Sequence, residues 1–532
     1  MATTRKKQEP ATRLFDNPEL LWVDAIYTER DEDLGDNNPL IRALPSLVTT
    51  ETVLEEFRNA PTFDAAERAL SANARIYRVG SLNLYIEPLT VHPELIESMF
   101  RVITQGYAWR NPLVNIPKLV RKHYEMSMTT GRLVPIVPPA PAHAASIALF
   151  GVSGVGKTTS INRILSFLPP VIRHKRLRGS NLQVVWVKCD CPPDGSVNQL
   201  FHWLLLEYDR LLGTRYAKEV GRDARLDQLI NKVAAVAKYH STGIIVIDEV
   251  QFAVNAAKRR GDALMDFFVT FSNVVGVPMM LAGTPKALSL FETSFRLVRR
   301  TGDHGAIIHT NLAFDAEWQL FLEALFEFQW IREPAALTPQ LSKAIYDVTQ
   351  GIHSLVVRLF QLAQITAIRN ETEKITAASI RQLAKDRFGP VQPMLSALRS
   401  KRRNRIELYD DLLVATLVGL EDSVKQDTRT AQLKQATERR QANASQLAVV
   451  SSLVSSGMEQ AQALKAVTGA LQEEPSLSGV RLLAAALSHM DGEPWVPPEA
   501  SALEEQSLND IIHGTENVDE ALAALQRAGV MA

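Results

Sequence analysis

Residues 151–158 form a glycine-rich stretch that can bind phosphate. They read Gly-Val-Ser-Gly-Val-Gly-Lys-Thr and match the pattern G-x-x-x-x-G-K-[ST] at every fixed position. In such a loop the backbone amides surround a phosphate, the lysine reaches the β- and γ-phosphates, and the threonine hydroxyl binds Mg2+. The sequence therefore predicts an ATP and Mg2+ site. The residues predicted to contact the nucleotide are Gly151, Val152, Ser153, Gly154, Val155, Gly156, Lys157, Thr158 and Thr159.

Two carboxylates follow an apolar run at residues 243–247, in the order Gly-Ile-Ile-Val-Ile-Asp-Glu. Taken alone, this stretch could be a buried strand that ends in two solvated acids. Beside a phosphate-binding loop it is the Walker B arrangement, in which Asp248 binds the nucleotide's Mg2+ together with Thr158, and Glu249 polarises the attacking water. The Asp-Glu pair favours an ATPase over a GTPase, and the sequence has no N-K-x-D guanine motif.

Further polar positions are predicted to complete the site. Thr284 follows an apolar run in Ala-Gly-Thr-Pro and is the candidate sensor of the γ-phosphate. Arg358 is the candidate second sensor, whereas the nearby His353 is expected at the surface or as a helix cap. A cluster of arginines is suited to reach the site of a neighbouring subunit, with a solvated basic helix end as the alternative. These arginines are Arg296, Arg299 and Arg300.

Apolar runs alternate with helical patterns around these motifs. Strands are predicted at residues 146–150, 184–188, 243–247 and 277–282, and helices at 158–167, 198–212, 225–239 and 262–274. This alternation predicts a parallel sheet covered by helices on both faces. After residue 314 only helical spacing remains, at 320–330, 342–349, 354–368 and 377–386. A small helical domain is therefore expected to follow the sheet.

Composition excludes several classes of protein. The chain has 532 residues, of which 46% are hydrophobic and 22% charged, so two to four globular domains are expected, and collagen-like, disulfide-rich and wholly disordered proteins are excluded. The first residues lack the apolar segment of a signal peptide and no run is long enough to cross a membrane, so we expect a cytoplasmic protein without a membrane partner. Cys189 and Cys191 are too few and too close for a disulfide framework or a zinc site, and we interpret them as structural.

The net charge of −1 means that any site for a polyanion must be local. Lys258, Arg259 and Arg260 follow the Walker B motif and are predicted to bind duplex DNA without sequence preference, with a solvated basic face as the alternative. Residues 399–405 carry five positive charges, whereas residues 491–532 carry nine acids and one base. The acidic tail is expected to bind a protein partner or to act only as a solubilising segment.

Several sequence blocks resemble the TnsC family, the AAA+ regulator ATPases of Tns-type DNA transposition, and more distantly the TniB regulators. Besides the phosphate-binding loop, the blocks are residues 36–45, 106–112, 191–196, 246–251, 275–286 and 391–399. The resemblance covers about residues 35–400. It implies a homo-oligomeric ring or filament that assembles on DNA with ATP, links a target-selector protein to transposase subunits, and is reset by hydrolysis.

The expected fold is an α/β AAA+ P-loop NTPase. Its α/β core would span residues 142–313 and its α-helical lid residues 314–398. A mostly helical N-terminal extension would cover residues 1–134, and a C-terminal helical and acidic tail residues 399–532. Two alternatives for the function remain open. One is an ATPase of the origin-recognition or helicase-loader type, and the other is a scaffold that polymerises on DNA with ATP but does not hydrolyse it.

Overall fold

The structure, a computed structural model, has eight short strands, fifteen α-helices and three short 3-10 helices in the part of the chain that it describes. It describes residues 22–28, 37–45, 50–114, 121–122, 124–126, 128–129, 146–177, 180–221, 224–253, 276–287, 306–400, 446–454, 458–473, 477 and 479–491. The strands are β1 (Trp22–Asp24), β2 (Ser146–Gly151), β3 (Val171–Arg173), β4 (Leu182–Val184), β5 (Trp186–Asp190), β6 (Ile244–Asp248), β7 (Met279–Gly283) and β8 (Ala306–His309).

The helices fall into four groups along the chain. In the N-terminal region they are α1 (Pro39–Arg42), α2 (Thr50–Phe57), α3 (Ala72–Val79) and α4 (Val91–Ala108). Around the strands they are α5 (Lys157–Leu165), α6 (Val197–Leu212), α7 (Tyr216–Val220) and α8 (Leu226–Tyr239). After the last strand come α9 (Ala316–Phe326), α10 (Pro339–Thr349), α11 (His353–Arg369), α12 (Ala377–Arg387) and α13 (Gln392–Ser400). The last two are α14 (Gln460–Glu473) and α15 (Gly479–Asp491).

Five parallel strands form the central sheet, in the order β5-β6-β7-β2-β8. Successive side chains of a strand point to opposite faces, and helices cover both faces here. Ile147 and Leu149 of β2 pack with α1, α4 and α5, whereas Ala148 and Phe150 pack with α6 and α8. The predicted α/β fold with a parallel sheet and helical extensions is confirmed.

The strand predicted over residues 184–188 is two strands in two sheets, so that prediction was wrong in its bounds. β4 pairs antiparallel with β3, which also pairs with β1, whereas β5 pairs parallel with β6. Val185 lies between them: its N–H donates to the Pro170 carbonyl at 2.9 Å and its carbonyl accepts from Ile244 N at 3.1 Å. The run Val-Val-Trp-Val-Lys is mostly β-branched and contains no signal for such a change of partner strand.

The N-terminal region joins the sheet to the helices that follow it. α1 and α4 belong to the core beneath the sheet, whereas Val79, Leu82 and Tyr85 belong to the core of α9–α12. A buried ion pair reinforces the second contact, because Arg75 Nη2 lies 2.6 Å from Glu373 Oε1 and Arg75 Nη1 donates to the Trp330 carbonyl at 3.0 Å. We call residues 57–92 the strap, because they run from one core to the other.

The α9–α13 group also contacts the phosphate-binding loop. Val152 and Val155 of the loop pack against Ile352, Leu395 and other residues of this group. The loop that is predicted to bind phosphate is therefore held in place by a helical domain more than 150 residues away in the chain.

Residues 431–532 form a second unit, separate from residues 1–430. Its described part is helical: residues 446–454, α14 and α15 share one apolar core. That core includes Val449, Leu453, Val467, Leu482 and Leu487.

Within the described residues, no helix combines the length and the apolar character that crossing a bilayer requires.

Cys189 and Cys191 are buried free thiols, and burial raises the pKa of each to about 12. Both thiols are therefore protonated at neutral pH and unsuited to nucleophilic or redox chemistry.

Candidate functional site

The phosphate-binding loop connects β2 to α5 as its sequence predicts. Gly154 and Gly156 have positive φ angles of 86° and 102°, which side chains with a Cβ rarely adopt. The loop then enters α5 at Lys157, whose ammonium is buried. Lys157 Nζ donates to the carbonyls of Gly151 at 2.7 Å and Val152 at 3.1 Å. The lysine is thus held inside the curve of the loop, at the N-terminus of a helix where anions bind.

Thr158 and Asp248 meet at the carboxyl edge of the sheet. The Thr158 hydroxyl donates to Asp248 Oδ2 at 2.8 Å, and Lys188 Nζ lies 3.5 Å from the same oxygen. Asp248 is 1% exposed. A hydroxyl and a carboxylate are ligands that Mg2+ takes in nucleotide sites, where it usually keeps waters and binds phosphate oxygens. These two residues therefore fit the ion, and the described residues contain no cluster of three or more His, Cys, Asp or Glu side chains that would offer another metal site.

Glu249 lies directly after β6 with a positive φ of 57°, which is unusual for a residue other than glycine. Its carboxylate accepts a hydrogen bond from Gln251 Nε2, and Gln251 Oε1 accepts from the backbone N–H of Thr284 at 3.1 Å. The Thr284 hydroxyl is buried and has no hydrogen-bond partner among the described residues. A buried hydroxyl without a partner beside the loop is suited to donate a hydrogen bond to a phosphate oxygen.

One cavity lies on each side of the loop. The first is lined by Ser153, Lys157, Thr158, Glu249, Gln251 and Thr284, and we call it the phosphate side. The second has a volume of about 630 Å³ and we call it the base side. It is lined by Leu84, Tyr85 and Glu87 of the strap, by Gly156, and by Val357 and Arg358 of α11. Gly154 and Gly156 border both cavities.

Arg358 thus lies on the base side and not among the groups around Asp248 and Glu249. Its guanidinium donates to Gln361 Oε1 at 3.5 Å, a long contact. The contact between α11 and the loop comes from Ser354, whose N–H donates to the Gly154 carbonyl at 3.1 Å. A Cβ at Gly154 would lie 2.4 Å from Ser354 Oγ, so this glycine also permits the close approach of α11.

Three buried histidines from distant parts of the chain meet behind the loop. The rings of His92 and His309 are 6.0 Å apart, and those of His309 and His353 are 5.6 Å apart. The expectation of a surface or capping His353 was wrong, because this first residue of α11 is buried. Sequence reasoning did not single out His92 or His309, since an isolated histidine carries no signal of what it will pack against.

Hydrogen bonding determines the tautomer of His92. Leu89 N donates to His92 Nδ1 at 2.8 Å, so the proton of the neutral ring is on Nε2 and faces Ser160 Oγ at 2.9 Å. Ser160 Oγ in turn donates to the Gly156 carbonyl at 2.9 Å. This chain of donors connects the strap to the loop.

Burial keeps all three histidines neutral. It lowers the pKa of His92 to about 3 and that of His353 to about 4. Burial also lowers the pKa of His309 far below its usual value, with smaller contributions from the other two histidines and Lys157. The ring nitrogens of His309 and His353 have no hydrogen-bond partners among the described residues.

Several predicted site residues lie outside the described residues. They are the candidate arginine-finger residues Arg296, Arg299 and Arg300, and the candidate DNA-binding residues Lys258, Arg259 and Arg260. The predicted helix at 262–274 and most of the basic segment at 399–405 also lie outside them.

Comparison with known proteins agrees with the fold. Residues 142–291 match a family model described as an AAA domain. No curated protein sequence matches the chain. The match and the fold together show an α/β domain with the AAA+ fold, which has residues 151–158 and Asp248 at the carboxyl edge of its sheet.

Several solved structures are similar to this chain at low identity. A Walker-type ATPase of Pyrococcus abyssi is 13% identical with a TM-score of 0.34, and the alignment covers 60% of this chain and 89% of that one. Cdc6p of Pyrobaculum aerophilum is 12% identical with a TM-score of 0.33, covering 78% and 95%. AMPPCP-bound DnaA of Aquifex aeolicus is 13% identical with a TM-score of 0.28, covering 72% and 87%. These alignments assign no role to any residue of this chain.

Proposed function

We propose that this chain binds ATP with Mg2+ and hydrolyses it. The observation that carries the proposal is the convergence of Lys157, Thr158, Glu249 and Thr284 on the phosphate side, with Asp248 bonded to the Thr158 hydroxyl. Lys157 Nζ would exchange the loop carbonyls for β- and γ-phosphate oxygens, which is a small movement of a flexible side chain. Thr158 and Asp248 would hold Mg2+, which neutralises charge on the phosphates when it is bound.

Glu249 and Thr284 have different tasks in this proposal. Glu249 orients and polarises a water molecule for in-line attack, and the Thr284 hydroxyl donates to a γ-phosphate oxygen. The base and ribose would occupy the base side, whose apolar Leu84, Tyr85 and Val357 suit a flat ring and which shares two loop glycines with the phosphate side. Arg358 would reach the nucleotide from α11 as the second sensor.

We further propose that the chain is a regulator of DNA transposition of the TnsC type. ATP-bound copies would assemble on duplex DNA as a ring or filament, in which Arg296, Arg299 or Arg300 of one copy completes the site of the next. Lys258, Arg259 and Arg260 would bind the DNA backbone, and hydrolysis would release it. The support is the set of sequence blocks over residues 35–400, together with a site whose lid contacts the phosphate-binding loop directly. Transposase subunits and a target selector would be its protein partners.

The proposal is tested by measuring ATP turnover with and without duplex DNA, and by imaging the protein with a non-hydrolysable ATP analogue and DNA. We expect DNA-dependent turnover and rings or filaments around DNA of any sequence. The Glu249→Gln variant should keep nucleotide and DNA bound while turnover falls about 100-fold or more. Wild-type turnover in Glu249→Gln would show that this carboxylate does not polarise the water.

Other outcomes separate the alternatives. Filaments on DNA without any hydrolysis would indicate the scaffold, and assembly confined to one DNA sequence would indicate an initiator. Monomers with the analogue and DNA would contradict assembly altogether. Supplying the assembled protein to its transposase tests the last step, since a regulator should direct insertion to the DNA that it covers.

A further inference from the structure

The side chain of Gln251 lies between Glu249 and Thr284 and contacts both. Its amide nitrogen donates to Glu249 Oε2 and its amide oxygen accepts from Thr284 N at 3.1 Å. Gln251 is 9% exposed and lines the phosphate side. The sequence block 246–251 ends at this residue, two positions after Glu249, but the sequence assigned it no role.

The orientation of this amide is determined by its partners. A backbone N–H can only donate, so the atom of Gln251 that faces Thr284 must be the oxygen. The NH2 group then has to face Glu249, where an ionised carboxylate can only accept. Gly283 makes room for the arrangement, because a Cβ at that position would lie 2.8 Å from Gln251 Oε1. The amide cannot flip without losing both bonds.

We infer that Gln251 is a positioning residue for Glu249, and that it acts by donating a hydrogen bond to the water-polarising carboxylate. The inference rests on the proposed ATPase function. Glu249 follows the strand in a left-handed conformation, so its side chain direction is not set by the sheet and needs a partner. The same amide is attached to Thr284, so the carboxylate and the predicted γ-phosphate sensor are held in one arrangement.

A purely structural role for Gln251 makes a different prediction. If Gln251 only stabilises the backbone at Thr284, the one atom it needs is Oε1, which accepts from Thr284 N. Gln251→Glu keeps an oxygen that accepts from Thr284 N but replaces the NH2 group with a second carboxylate oxygen. That oxygen either faces Glu249 with like charge or shares a proton with it, and in both cases Glu249 loses the amide donor and is a poorer base. Gln251→Ala removes both contacts. The isosteric variant therefore separates positioning of Glu249 from bracing of the loop.

The experiment compares wild type, Gln251→Glu, Gln251→Ala and Gln382→Glu. Gln382 is the matched control, because its exposed amide also donates to a carboxylate, Asp386 Oδ1 at 2.9 Å, but on α12. We expect kcat to fall about 10- to 100-fold in both Gln251 variants, while KM changes less than about twofold. Gln382→Glu should behave like the wild type.

Equilibrium binding gives a readout that does not depend on turnover. Affinity for ADP and for a non-hydrolysable ATP analogue should be retained in both Gln251 variants, which also shows that they fold. Affinity for ADP with aluminium fluoride, a mimic of the transferring phosphoryl group with its attacking water, should fall by a factor similar to that in kcat.

Each result of these measurements either supports the role of Gln251 or overturns it. Wild-type kcat and wild-type aluminium fluoride affinity in Gln251→Glu overturn the inference, and a loss confined to Gln251→Ala assigns the residue to bracing instead. A wild-type chain that binds ATP but never hydrolyses it overturns the proposed function and this inference together. Loss of the aluminium fluoride complex alone, with ADP binding intact, supports both.

Discussion

The phosphate side and the base side are built in different ways. The phosphate side comes mainly from two short stretches, residues 153–159 and 249–252, which follow two parallel strands that end at the same edge of the sheet. The base side is assembled from the strap, α5, β8 and α11, and more than 200 residues of chain separate the strap from β8 and α11. The phosphate side depends on local sequence and the base side on long-range packing. Substitutions on the phosphate side should therefore mainly reduce nucleotide binding or turnover, whereas substitutions on the base side should mainly reduce the stability of the fold.

The largest effect is expected from removing the central cation of the phosphate side. Lys157→Ala should lower the affinity for ATP and ADP about 100- to 1,000-fold, because no other buried ammonium among the described residues projects into the loop. Titration with a fluorescent nucleotide measures this loss. Lys343→Ala, which removes an exposed lysine of α10, is the control and should bind normally. Retained binding in Lys157→Ala would exclude the loop as the phosphate site.

This difference also explains what could be predicted from the sequence. The positions of Lys157, Thr158 and Asp248 follow from motif spacing, because a strand, a tight turn and a helix N-terminus leave little freedom. Helical spacing placed α10, α11 and α12 within a few residues of their observed bounds. The roles of these residues stay predictions, but the structure does bring Lys157, Thr158, Glu249 and Thr284 to one cavity, with Asp248 bonded to the Thr158 hydroxyl.

What the sequence could not predict is set by partners that are distant in the chain. β3 and β8 have three and four residues, too few for a periodic signal, and yet β8 carries His309 to the loop. His353 was expected outside because nothing near it in sequence indicates Phe321 or His309, which bury it. Gln251 was missed because the backbone N–H that orients its amide toward Glu249 belongs to Thr284, which lies 33 residues later.

The base side depends on the strap, and its buried ion pair tests that dependence. Glu373→Gln leaves Arg75, which is 1% exposed, without its countercharge and should lower the free energy of unfolding by about 2–3 kcal/mol. Asp24→Asn is the matched control, because it breaks an exposed, solvent-screened ion pair with Arg173 and should lower the free energy of unfolding much less. Urea unfolding followed by tryptophan fluorescence measures both. Equal losses in the two variants would contradict a strap held by the Arg75–Glu373 pair.

The histidines make the same region sensitive to acid. Because burial lowers the pKa of His92 to about 3 and of His353 to about 4, the unfolded chain binds more protons as the pH falls. The stability is therefore fully present above about pH 6.5 and is lost progressively below it. At pH 5 each of these two histidines should lower the free energy of unfolding by about 2 kcal/mol relative to pH 7.5.

The test of this acid sensitivity is His353→Leu, whose apolar side chain suits the contact with Phe321. Urea unfolding at pH 7.5 and pH 5 should show a pH-dependent loss about 2 kcal/mol smaller in this variant than in the wild type. Nucleotide affinity at pH 7.5 reports whether the base side is still formed. An unchanged pH dependence would mean that His353 is accessible to protons in the folded state.

The smallest effect is expected on the phosphate side, as a difference in stability between variants of Glu249. This residue has a left-handed backbone conformation. A side chain with a Cβ costs about 1 kcal/mol more than glycine in this conformation, so Glu249→Gly should be more stable than Glu249→Ala by about that amount. At Asp190, which lies in strand β5, the order should reverse, because glycine weakens a strand. Neither Glu249 variant should hydrolyse ATP at the wild-type rate. If Glu249→Ala is as stable as Glu249→Gly, the backbone is not strained, and the direction of the Glu249 side chain would depend less on Gln251.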